Sequence, residues 1–172
     1  MRLLVLMLAL FVTTPAIAAS FKELVEFSKS AALEEPPQSL KDKIIAVMKR
    51  AGKVEVLEDE SKCESKPDDE IVCNVFFARN DLVMIYGNSS RVLGVRVIPS
   101  SDDFYYVILA TLFAVNLNTD PTPFSALAKS LAQSLSDEKK YTETKDGIIY
   151  RVSPWYVKQF KKSFLVVEIE RE

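Results

Sequence analysis

Seven carboxylates crowd into thirteen positions of this chain: Glu58, Asp59, Glu60, Glu64, Asp68, Asp69 and Glu70, relieved only by Lys62 and Lys66. Such a cluster offers three roles. Several oxygen ligands in one loop suit calcium, although the D-x-D-x-D-G spacing of an EF-hand is missing. A dense negative patch also suits a basic partner surface. Alternatively, the charge keeps a hairpin at a sheet edge from pairing with other chains. The only two cysteines, Cys63 and Cys73, lie within and just beyond the cluster. An even count in an oxidising compartment predicts one disulfide, and C-x-x-C redox spacing is absent. Glu64, Asp68, Asp69 and Glu70 are the residues assigned to partner contact, and no metal site is assigned.

A second cluster interleaves rings with cations: Trp155, Tyr156, Lys158, Phe160, Lys161 and Lys162. Rings and lysines together can hold an anionic membrane surface or a glycan. They also arise where core aromatics carry lysines that snorkel outward. As a partner contact the cluster centres on Trp155, Tyr156, Lys158 and Lys161, because tryptophan is over-represented at binding hot spots.

The rest of the chemistry is mostly excluded. The chain has no histidine, which removes Ser-His-Asp and Cys-His catalysis and histidine-ligated zinc. Four glycines leave no phosphate-cradling loop. Ser136 to Lys139 matches S-x-x-K only formally, without the S-D-N and K-T-G partners of that site. A carboxylate-only hydrolase needs two separated acids, one with a raised pKa, whereas the acids here gather in one polar loop. Asn88-Ser89-Ser90 fits a glycosylation sequon, meaningful only in a eukaryotic secretory pathway. No cofactor is expected. Near-neutral composition, with formal charge −2, gives no basic surface for nucleic acid.

Arg2, the apolar run Leu3 to Val12 and the small-x-small Ala16-Ile17-Ala18 form a secretory signal peptide over 1–19, cleaved near Ala18 or Ala19. The brevity of this leader points to a bacterial periplasm, with secretion as the other address. Residues 20–172 then make one globular domain, with 48% hydrophobic and 27% charged residues overall, and no transmembrane segment in the mature chain.

The elements that must position these residues read as α+β. Phe21, Leu24, Val25 and Phe27 mark a first helix, which Pro36-Pro37 stops. A second runs from Ser39 as N-cap to Gly52 at C′. Strands follow from Val54, then over Ile71–Ala78, Leu82–Tyr86 and Val92–Ile98, with short turns that imply an antiparallel meander. Phe104 to Val115 is apolar all round except Thr111, and too short to span a bilayer. It therefore reads as a helix buried on every face. Thr122-Pro123 opens another helix to about Leu135. Asp146-Gly147 marks a hairpin between Lys140–Thr144 and Ile148–Val152. A loop or helical turn over Ser153–Lys162 precedes a last strand, Phe164–Ile169.

These readings converge on an exported, non-catalytic binding protein that meets a protein partner in the cell envelope, as an inhibitor or immunity-type protein or an accessory subunit. Two alternatives are kept. One is a carrier holding a small apolar ligand or lipid between sheet and buried helix, around Tyr105, Tyr106 and Phe113. The other is a carboxylate-only hydrolase of envelope glycans.

Overall fold

The computed structural model describes residues 33–101, 104–115, 122–145, 147–157 and 161–172. The expected signal peptide, the first expected helix up to residue 32 and Lys158 lie outside the described residues. Among the described residues the architecture is α+β: three α-helices and an antiparallel sheet of eight strands. In chain order these are α1 (Pro37–Ala51), β1 (Val56–Leu57), β2 (Cys63–Ser65), β3 (Ile71–Phe77), β4 (Leu82–Gly87), β5 (Val92–Ile98), α2 (Phe104–Val115), α3 (Thr122–Ser136), β6 (Tyr141–Lys145), β7 (Ile148–Val157) and β8 (Lys162–Arg171).

The strands lie in the order β1-β3-β4-β5-β8-β7-β6, and β2 shares the β3 edge with β1. The meander β3-β4-β5 forms as its turns dictate, and β8 joins it to the C-terminal hairpins by pairing with β5, Arg96 opposite Glu168. The two groups of strands are thus one sheet. β7 continues to Val157 where a loop was expected from Ser153. Its pairing with β6 ends at Val152. Pro154 therefore sits where β7 borders only β8, and proline is tolerated on such an edge.

The helices pack on one face. Leu40, Ile44 and Met48 of α1, spaced four apart, are all but fully buried, and each such burial contributes roughly 1.5–3 kcal/mol. They meet Val75, Phe77, Val83 and Ile85, while Tyr150, Val152, Val167 and Ile169 extend the same core. α1 begins earlier than expected. Its cap is Pro36, with Pro37 at the first position, where a missing N–H costs nothing. Ser39 instead donates to Glu35 Oε2 at 2.7 Å. Gly52 takes the left-handed conformation, φ 60°, and its N–H returns to Met48, the closing geometry glycine favours.

α2 lies between α1 and α3. Val107, Ile108, Thr111 and Leu112 are fully buried, but Tyr106 is 38% exposed, and Leu109 and Phe113 are only half-buried. The expectation of burial on every face is corrected: one stripe of this apolar helix looks outward. No helix among the described residues is long and apolar enough to cross a membrane.

Asp81 fixes the entry to α2. It is fully buried in the β3–β4 turn, and its Oδ1 accepts the N–H groups of Ser100 (2.6 Å) and Ser101 (3.0 Å), while Oδ2 accepts from the Ser101 hydroxyl. Asp81→Ala leaves two backbone donors without this acceptor and is expected to cost about 2–3 kcal/mol in denaturant unfolding. A loss under about 0.5 kcal/mol would mean that water replaces it.

Candidate functional site

Three features were candidates for chemistry or recognition, and the fold keeps them apart.

The first is the acidic hairpin. Cys63 and Cys73 sit directly opposite each other in the β2–β3 register and form a disulfide. Their separation of 10 residues gives about 2.7 kcal/mol in the chain-entropy model. Replacing both by serine should lower stability by about that amount in chemical denaturation, and an unchanged midpoint would refute the clip. The tip is a 3₁₀ turn, Pro67–Asp69, with Asp68 and Asp69 exposed. Glu64 pairs with Lys66 at 2.5 Å, Asp69 accepts from Ser89 at 3.0 Å, and Glu70 is half-buried. Among the described residues no group of three acids or cysteines is placed to hold a metal ion.

The second surrounds Trp155, on the sheet face opposite the helices. A row of side chains crosses five strands in register: Asn74, Met84, Arg96, Glu168 and Arg151. Arg96 is 1% exposed, and Glu168 and Glu170 are about as deeply buried. Glu168 Oε1 accepts from Arg96 Nη2 (2.6 Å) and Nε (3.2 Å), and its Oε2 accepts from Arg151 Nε (2.8 Å) and Ser153 Oγ (2.5 Å). Arg151 Nη2 lies 2.5 Å from Glu170 Oε1. Two guanidinium groups thus balance two carboxylates. Arg96 Nη1 is buried without an acceptor. Its guanidinium carbon instead lies 4.7 Å from the centre of the Trp155 ring and 5.9 Å from that of Tyr86, whose π faces attract the cation. Gly94, opposite Tyr86, is needed here, since a Cβ would come within 2.4 Å of the tyrosine oxygen.

Burial drives both carboxyls upward, but the outcomes differ. At Glu168 the Arg96 charge, the Ser153 hydroxyl and Arg151 outweigh burial and hold the group below the usual range. At Glu170 burial prevails over Arg151, and the group is raised. Burial likewise lifts the Tyr86 phenol. The acids outside the polar loop therefore include a pair flanked by Val167 and Ile169, which corrects the reading that the acids gather in one loop. The pair still lacks hydrolase geometry. Both carboxyls stand on one face of one strand, are bound by the same arginine, and flank no cleft between them.

Tyr156 is 55% exposed and Lys161 is exposed. Trp155, by contrast, is half-buried against Arg96. β7 and β3 are four strand spacings apart, about 19 Å, so the sheet separates Trp155 from the acidic hairpin.

The third feature is an open cleft of about 520 Å³ between α1 and α2. α1 contributes Lys43, Ala46, Val47, Arg50 and Ala51, and α2 contributes Tyr106, Leu109, Ala110 and Phe113. No carboxylate lines it. Tyr106 and Phe113 were expected around an apolar ligand, but the space lies on the outer side of α2, and Tyr105 is not part of it. Sequence reasoning missed Lys43, Ala46 and Arg50. The signal was the surplus of apolar residues on α2, too many for a helix with only one face inward.

No protein-family model, curated protein or solved structure matches this chain.

Proposed function

We propose that this chain is an exported, non-catalytic binding protein of the bacterial cell envelope, working by protein–protein contact through the cleft between α1 and α2. The observation that carries the reading is the outward stripe Tyr106, Leu109, Phe113 on α2, left uncovered among the described residues. An apolar stripe that lines an open groove between two helices is the arrangement used for helix-in-groove contact. The leader-like N-terminus, the disulfide and the absence of histidine support export and a non-catalytic role. An inhibitor of an envelope toxin or hydrolase, or an accessory subunit, fits equally.

A carrier of a small apolar ligand is the second reading, favoured by the lining of Tyr106 and Phe113. Ligand pockets, however, enclose most of their ligand, and this cleft is half-open. The acidic hairpin stands as a rival contact.

The test is capture from the native envelope extract with three baits: the mature chain, Ala46→Glu, and Asp68→Lys with Asp69→Lys. Ala46 is exposed on the cleft wall, so Ala46→Glu should move stability by less than about 0.5 kcal/mol. The proposal expects one stoichiometric protein, lost with Ala46→Glu and kept with the hairpin pair. Loss with the hairpin pair alone would move the contact to the acidic loop. A co-purifying lipid with no protein would favour the carrier.

A further inference from the structure

The two walls of the cleft share one spacing. Lys43, Ala46, Val47 and Arg50 stand at i, i+3, i+4 and i+7 of α1, and Tyr106, Leu109, Ala110 and Phe113 repeat that pattern on α2. Seven residues of helix measure about 10.5 Å, so each wall is two turns long. Facing stripes of this period are how two helices present a groove to a third, whose own side chains fill the holes between theirs. Ala46, Ala51 and Ala110 keep the groove shallow enough for backbone to approach.

Charge narrows the occupant further. The cleft is apolar except for its cations, which stand at both ends of the α1 wall. Lys43 is held by Glu35 at 2.7 Å, whereas Arg50 is exposed and has no ion-pair partner among the described residues. The neighbouring Lys49 is engaged by Glu58 at 2.7 Å.

We infer that the partner enters as an amphipathic α-helix, its apolar face in the cleft and a carboxylate placed against Arg50 along the α1 side. This rests on the cleft being the contact. It adds the secondary structure and charge of what the cleft receives. Helix-in-groove recognition reads apolar anchors at i, i+3 or i+4, and i+7, the period of both walls. A long-chain fatty acid shares the apolar-plus-acid chemistry but lacks a reason for two matched helical walls.

Two labelled 18-residue peptides provide the test. Both carry leucine at i, i+3, i+4 and i+7, and the flanking positions are glutamate in one and lysine in the other. Binding to the mature chain is read by fluorescence anisotropy, with oleate and with vesicles containing phosphatidylglycerol as parallel probes. The glutamate peptide is expected to bind at least tenfold more tightly than its lysine twin at low salt, with the gap shrinking as salt rises. Arg50→Glu should abolish that preference, and Ala46→Glu should abolish binding while the melting temperature holds.

Equal binding of the twins, or binding that survives Ala46→Glu, would overturn the inference. Displacement of the peptide by oleate alone, with no charge preference between twins, would transfer the cleft to lipids. If neither peptide binds, yet a captured envelope protein is lost with Ala46→Glu, the cleft remains the contact and the helix is wrong. If capture ignores Ala46→Glu, the functional reading itself falls.

Discussion

Glu168→Ala is expected to remove about 3–5 kcal/mol of folding stability, because it strands the buried Arg96 without its counter-charge and leaves Arg151 only Glu170. That is a large part of the 5–15 kcal/mol typical of a domain. The cost comes from the orphaned Arg96 cation more than from the lost bonds. Removing charge in pairs should therefore be far milder. Arg96→Met with Glu168→Leu leaves Arg151 paired to Glu170 and should recover most of the loss. Urea unfolding of the single and double variants decides the matter. A single-variant cost below about 1 kcal/mol, typical of exposed pairs, would show the network to be solvated.

The same row sets the response to acid. Glu168 is depressed in the folded state, so its contribution is present above the ordinary carboxylate range and is lost as pH falls through the depressed value. Glu170 is raised, so its contribution is present below that range and is lost as pH rises through the raised value. The two oppose each other in acid. Glu170→Gln should therefore steepen the fall in stability towards low pH, and Glu168→Gln should flatten it. Melting temperatures between pH 3 and 7 read this directly, and identical curves for the two variants would contradict the assignment.

The second large effect is on binding. Tyr106→Ala removes the most exposed ring of the cleft, and hot-spot tyrosines cost 2 kcal/mol or more on truncation, about thirtyfold in affinity. Tyr106 also meets the Tyr105 ring edge-on at 5.4 Å, so about 0.5–1.5 kcal/mol of stability goes with it. Weaker capture of the proposed partner, with a melting temperature lowered by only a few degrees, is the expected pattern. Unchanged capture would place the contact elsewhere.

Much of the fold was legible because its signals are local. Alternation and turn residues mark β3, β4 and β5, and the period of Leu40, Ile44 and Met48 marks α1. The disulfide follows from two cysteines and a polar loop between them. What escaped is decided by long-range pairing. Nothing near Arg96 tells that Glu168 will stand opposite it, and Pro154 reads as a strand breaker until the end of β6 leaves it on an edge. The cleft needed both kinds of information. That α2 is apolar all round was visible, but which of its faces looked outward depended on where α1 packed. The acidic loop drew attention through composition, and the structure ties part of that charge to Lys66 and Ser89.

The pairing of β8 with β5 has a kinetic consequence. Arg96 and Glu168 are separated by 72 residues, and until β8 docks, both β5 and the β7–β8 hairpin keep an open edge. Sheets closed by such distant contacts fold in milliseconds to seconds, far more slowly than helical bundles, because loop entropy must be lost before the pairing forms. The nascent chain thus stays unclosed until its last strand is available. Under the proposed export, that delay would keep the chain threadable during translocation, and the same open edges leave it vulnerable to aggregation.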